Sequence, residues 1–153
     1  MAIYFAVAAA IVILDQLVKY WARAHLMQGS MEVIEGVFRL RYTENTGAAF
    51  SILQGQRTLF LIITAVMVVG IVWLLCSGAF KGKIGNLALA MVLGGAVGNF
   101  IDRLLRGYVV DMFDFCLINF PVFNVADVFI NVGGALLIIY LVFIDKELLR
   151  EKK

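Results

Sequence analysis

Four apolar stretches, each close to the length of a bilayer crossing, are separated along the chain by polar segments. A spanning helix needs about 20 mostly apolar residues. The stretches run over residues 2–21, 58–80, 84–101 and 128–144. The second is the cleanest, with no charge between Arg57 and Lys81, whereas the first is broken near its far end by Asp15, Gln16 and Lys19. Lys83 and Asp102 bound the third, and Asp127 and Asp145 the fourth. This pattern predicts an all-α membrane protein of four transmembrane helices with both termini on one side. Between the first two stretches the period changes. Phe38, Leu40 and Tyr42 alternate with Arg39, Arg41 and Thr43, the rhythm of a strand with one polar face. A small amphipathic β-sheet or loop insertion over 32–51 is therefore expected between helices 1 and 2, lying on the membrane and closed by Gln54-Gly55-Gln56.

Composition narrows the class. The chain is 63% hydrophobic and 16% charged, with a mean hydropathy of +0.95, too apolar to clothe a soluble domain of this size. Thirteen basic and eleven acidic residues leave a net charge of +2, scattered through short loops without the basic stripe that nucleic-acid binding requires. One histidine, His25, and two cysteines, Cys76 and Cys116, cannot build a Cys/His metal site. The thiols read as small buried hydrophobes in different segments, not as a disulfide. The first stretch has no basic residue before its apolar run and carries an acid where a cleavage region would be small and neutral, so it reads as a span and not as a removed signal peptide. No repeat, low-complexity stretch or linker divides residues 1–153, which read as one membrane-embedded domain.

Basic residues do not fix sidedness by number: six lie in the 78–83 turn and the C-terminal tail, seven on the other side. Their density favours a cytoplasmic turn and tail, with the long loops extracytoplasmic. Under that topology the polar groups at membrane depth share one end of the bundle: Asp15 and Lys19; Asn99, Asp102 and Arg103; Asp111, Asp114, Asn124 and Asp127. Ionisable groups there are costly unless paired or watered, which makes them functional candidates. Asp111 and Asp127 stand out, because two carboxylates brought together at a membrane surface can share a proton and activate a water. Asn99 and Arg103 are four apart and share a helical face, as do Asp127 and Asn131. Structural readings compete. Asp15–Lys19 has the spacing of an interfacial salt pair, Asp102 can pair with Arg103 or Arg106, Asp114 reads as a solvated loop residue, and Asp127 as a helix cap, while Asn124, three before it, can itself cap a helix beginning there or hydrogen-bond the carboxylate. Ala90, Gly94 and Gly98 form a small-residue ridge suited to close helix packing. Three functions remain in competition with a peptidase: a proton-coupled transporter, which the charge-free centre of the 58–80 stretch disfavours; an Mg²⁺-dependent phosphotransferase using Asp102, Asp111 and Asp114; and a structural subunit.

Five blocks break the tie: Asp15-Gln16-Leu17-Val18-Lys19, Asn45-Thr46-Gly47-Ala48-Ala49-Phe50, Gly98-Asn99-Phe100-Ile101-Asp102-Arg103, Gly107-Tyr108-Val109-Val110-Asp111 and Phe123-Asn124-Val125-Ala126-Asp127. In order and spacing they resemble the motifs of lipoprotein signal peptidase, or signal peptidase II, across nearly the whole chain. The resemblance implies a metal-free, cofactor-free aspartic endopeptidase of the bacterial cytoplasmic (inner) membrane. Such an enzyme removes signal peptides from diacylglyceryl-modified prolipoproteins by cutting before the lipidated cysteine. It implies Asp111 and Asp127 as the catalytic pair, and an active site towards the outer face, with Asp15, Asn45, Gly47, Asn99, Asp102, Arg103 and Asn124 binding substrate or orienting the acids. Membrane lipids and globomycin-type inhibitors are its implied partners.

Overall fold

The computed structural model describes residues 1–47, 53–118 and 120–144, and on these the chain is mostly helical. Helix α1 covers Ala2–Leu26, and strands β1 (Met31–Ile34) and β2 (Phe38–Asn45) follow. Helices α2 (Arg57–Ser77) and α3 (Lys83–Arg106) lead to strand β3 (Val109–Phe115). Helix α4 (Val125–Ile139) runs on into a π-helical turn at Tyr140–Ile144. All four helices are long and apolar enough to cross a membrane. The protein is multi-pass, as the hydropathy pattern indicates. The element bounds differ from the apolar runs in a consistent way. Helices α1 and α3 continue past Trp21 and Ile101 to Leu26 and Arg106, because the polar residues ending each run find partners inside the bundle. Helix α2 stops at Ser77, where Gly78 takes the left-handed conformation (φ 66°) that ends helices at least cost, and α4 starts earlier than expected, at Val125.

Helix α3 is the centre of the bundle and packs against α1, α2 and α4. Its small residues permit the approach. A Cβ on Gly94 would lie 2.8 Å from the Ala8 carbonyl of α1, and one on Gly98 would lie 2.6 Å from the Asp15 carboxylate. In lipid, where apolar surface gains nothing by self-association, such close backbone packing is what holds helices together. Leu75 of α2 and Leu89 of α3 are buried in the core on the side away from the polar groups, with Ala8, Ile71 and Leu93 around them.

The sheet is antiparallel in the order β1-β2-β3. It therefore is not confined to the insertion between helices 1 and 2, because its third strand comes from between α3 and α4. Leu40 pairs with Phe113 but Thr43 with Asp111, so three residues of β2 span two of β3 in a bulge. Side chains of β3 alternate: Val110 and Met112 pack on Ala22 and Leu26 at the end of α1, while Val109, Asp111 and Phe115 face a cavity. Phe123 exchanges backbone hydrogen bonds with Phe113, and this bridge delivers Asn124 beside Asp111 at the start of α4.

Candidate active site

Asp111 from β3 and Asp127 from the first turn of α4 line one cavity of about 680 Å³, with Asn45, Asn99 and Arg103 beside them. Its remaining wall is apolar, formed by residues such as Phe115, Phe120, Phe123, Val128 and Val132. One end of the cavity is thus polar and the rest apolar.

Each carboxylate oxygen of the pair accepts one hydrogen bond. Asn124 Nδ2 donates to Asp111 Oδ1 at 2.6 Å and Asn45 Nδ2 to Asp111 Oδ2 at 3.0 Å. Asn99 Nδ2 donates to Asp127 Oδ1 at 2.8 Å, and the Asn124 backbone N–H to Asp127 Oδ2 at 3.1 Å. The amide orientations follow from their other neighbours. Asn124 Oδ1 accepts from the Asp127 backbone N–H and Asn45 Oδ1 from the Gly47 N–H, so both must turn their NH₂ groups towards Asp111. A proton held by the pair meets no acceptor among these amides. Its partner has to be the other carboxylate, a water or a substrate in the cavity. Burial, followed by the charge of Asp127, pushes the Asp111 carboxyl up to about 7 against the opposing pull of Asn45, Asn124 and Lys19.

Local sequence explains why Asp127 is so well placed. Asn124 caps α4 and exchanges hydrogen bonds with Asp127 in a capping box, so the cap is Asn124 and not Asp127 itself. The Ala126 N–H is met by Asp15 Oδ1 of α1 at 2.9 Å. Asn131, on the same face, returns a hydrogen bond to the Asp127 carbonyl.

Behind the pair lies a closed ionic layer. Lys19, with no exposed surface, reaches Asp15 at 2.8 Å, Asp102 at 3.1 Å and Asn99 Oδ1 at 2.8 Å. Gln16 donates to Asp15, Asp102 and the Gly98 carbonyl, while Asp102 pairs with Arg106 and accepts the Val110 N–H. The Asp15–Lys19 pair is therefore buried in the protein instead of interfacial, and Asp102 chooses Lys19 and Arg106 over Arg103. Arg103 instead donates to the Gly47 carbonyl at 2.9 Å and lies 4.7 Å from the centre of the Phe60 ring, a cation–π contact. Ala48, Ala49 and Phe50 of the same motif lie outside the described residues, as do Ser51 and the C-terminal tail from Asp145.

Other readings fail as well. Asp114 is not a solvated loop residue: it is 6% exposed, and Arg39 opposite it on β2 and the neighbouring Arg41 both grip Oδ2, at 2.8 and 3.2 Å. Being three residues from Asp111 on a strand puts it on the other face, away from the cavity. Cys76 and Cys116 are free and exposed, not buried: Cys76 sits on the outward surface of α2, where an apolar membrane helix suits a thiol as well as a core does, and Cys116 lies in the turn after β3. Asp102, Asp111 and Asp114 do not converge. Among the described residues no three His, Cys, Asp or Glu side chains are grouped to hold a metal ion. Sequence reasoning overlooked Gln16, the role of Lys19, and Arg39 and Arg41; the polar phase of the β2 alternation was the available signal for the two arginines.

Four spans and two carboxyls sharing one cavity at the sheet end of the bundle have the make-up expected of a membrane-embedded hydrolase of the aspartic type. Residues 7–143 match the family model for signal peptidase (SPase) II. The chain is 50% identical to the lipoprotein signal peptidase of Brevibacillus brevis over 143 residues, covering 93% of this chain and 95% of the relative. It is 42% identical to that of Halalkalibacterium halodurans over 153 residues, covering 98% of each. A bacterial membrane enzyme solved by the in meso method at 2.3 Å superposes with a TM-score of 0.85 at 36% identity, covering 92% of this chain and 88% of its own. A second, solved at 1.9 Å, gives 0.84 at 35% identity over 94% and 95%. The chain belongs to the signal peptidase II family, a family of aspartic-type membrane proteases that process lipoproteins.

Proposed function

We propose that this enzyme cuts diacylglyceryl-modified prolipoproteins immediately before the lipidated cysteine, using a water activated between Asp111 and Asp127. The observation that carries the reading is the hydrogen-bond frame of the pair. All four oxygens are met by donors, so the one proton the acids share is presented to the cavity. Two close carboxylates cannot both ionise cheaply, and they titrate as a unit. Asp111, the more buried acid, whose carboxyl burial pushes up to about 7, keeps the proton and donates it to the scissile carbonyl. Asp127 receives the helix-end N–H and the Asn99 amide, and as the ionised member takes a proton from water; the roles reverse as the amine departs. Arg103, Asn45 and the Gly47 segment border the cavity where a peptide backbone would lie.

The apolar wall fits a signal-peptide helix, while the two acyl chains stay in the surrounding lipid. Asp15 and Asp102 serve from behind by holding α1, α3 and the start of α4 in register. The sheet end is assigned to the outer face of the bacterial cytoplasmic membrane, with the termini in the cytoplasm, and globomycin-type cyclic peptides are expected to occupy the cavity. A gel-shift assay with purified enzyme and a lipidated precursor tests the reading. The acyl chains, stabilised in lipid by about 0.8 kcal/mol per methylene, fix the height of the scissile bond as well as concentrating it. Unlipidated precursor should therefore show lowered kcat and not only a raised KM. Equal maximal rates would contradict the positioning role of the lipid.

A further inference from the structure

We propose that Lys19 is a positioning residue that fixes the direction of the hydrogen-bond chain ending on Asp127, forcing the Asn99 amide to offer its N–H₂ side to that carboxylate. The proposal rests on Asp111 and Asp127 being the reacting pair. An asparagine amide turned by 180° has nearly the same shape but presents an acceptor where it had a donor, and only its neighbours decide between the two. Lys19 decides here. Its ammonium can only donate, and it lies 2.8 Å from one terminal atom of Asn99, which must therefore be the oxygen. The same oxygen receives Asn124 Nδ2 at 3.2 Å. The Asn99 nitrogen is left to face Asp127 Oδ1 at 2.8 Å. Were the amide reversed, an N–H would point at the ammonium and a carbonyl oxygen at the carboxylate, two repulsions in a buried site.

The position of Lys19 is itself over-determined. Asp15 from its own helix and Asp102 from α3 hold the ammonium, Gln16 ties both of those acids together, and Arg106, paired with Asp102, is the second cation that balances the two acids. Asp127 is faced by Asn99 and the Arg103 charge from α3, by Asn124 at its own helix start, and by Asp111 from β3. Among the described residues, only the Lys19–Asn99 link joins the ionic layer to the Asp127 carboxylate through a chain whose direction a donor-only group has fixed. Lys19 thus acts on the ionised acid without touching it or the substrate.

The test is the pH profile of cleavage by the full-length enzyme in phospholipid vesicles, with rates expressed per folded molecule. Lys19→Met removes the shorter of the two hydrogen bonds that hold the Asn99 oxygen, leaving only Asn124 Nδ2 at 3.2 Å, and withdraws a positive charge, both of which make the ionised carboxylate less stable. The expected result is a kcat lowered roughly ten- to hundredfold at unchanged KM, with the acid limb of the profile moved to higher pH by about one unit or more. A purely structural lysine would reduce the folded fraction and leave the limb where it was, and that result overturns the proposal. Should the buried acids prevent Lys19→Met from folding, Asn99→Asp decides alone. It keeps an acceptor for Lys19 but sets an oxygen against Asp127, so activity should be lost at neutral pH and recover on acidification. A wild-type profile for Asn99→Asp overturns the proposal. Asp111→Asn in the same assay separates the two claims. If it is inactive while the Lys19→Met limb is unmoved, Lys19 alone has been misassigned; if it is active, the acid pair itself is wrong and the proposal falls with it.

Discussion

Two carboxylate pairs lie back to back in this molecule and are treated in opposite ways. Asp15 and Asp102 are clasped by Lys19, Gln16 and Arg106, fully buried, each charge answered by a cation. Asp111 and Asp127 receive the donor groups of neutral amides and one backbone N–H, with Arg103 nearby but hydrogen-bonded to Gly47. Cations would hold both acids ionised and inert. Neutral amides orient them while leaving burial and mutual repulsion to raise Asp111 into the range where a proton can come and go. The same residue type is thus a strut in one layer and a reagent in the next, and the partner's charge makes the difference.

The comparison can be broken from either side. Asp111→Asn and Asp127→Asn should each lower cleavage of lipidated precursor by roughly 10²–10⁴-fold or more with thermal stability near wild type, because an amide keeps the shape but cannot cycle a proton. Asn124→Ala and Arg103→Ala should reduce turnover by about one to three orders of magnitude, through a lost orienting donor or a lost charge at the cavity; wild-type rates in both would remove them from the site. Asp102→Ala acts on the other layer. It leaves Lys19 with Asp15 alone and deprives Arg106 of its ion pair, so unfolding in detergent should be easier by about 3 kcal/mol, and a change below about 1 kcal/mol would mean that the layer carries little of the fold. The smallest effect belongs to Asp114→Asn. Its arginines are partly exposed, so turnover should stay near wild type and stability should fall by no more than about 1 kcal/mol.

How much of this was legible depends on the range of the interactions. The spans could be read because lipid imposes its rule residue by residue, and the five motif blocks hold every acid and amide that now lines the cavity except Asn131. The extra turns of α1 and α3 could not be read, since Lys19 and Asp102 look like helix-ending charges until each supplies the other's partner across the bundle. Strand β3 was hidden for a related reason. Val109–Phe115 is apolar on both faces but for its acids, and it pairs with β2 some 64–77 positions earlier in the chain. Without that register, Asp111 and Asp114 cannot be assigned to opposite faces. Cys76 misled because core and membrane surface share one composition.

Wild-type cleavage of a diacylglyceryl-modified prolipoprotein followed from pH 5 to pH 9 probes the shared proton most directly. Burial and the Asp127 charge raise the Asp111 carboxyl to about 7, so the pair keeps its single proton below that pH and loses it above. With both acids ionised no group remains to protonate the scissile carbonyl, and kcat/KM should fall by about tenfold per pH unit above roughly pH 7. A rate constant that stays level from pH 6 to pH 9 would contradict a proton shared between Asp111 and Asp127.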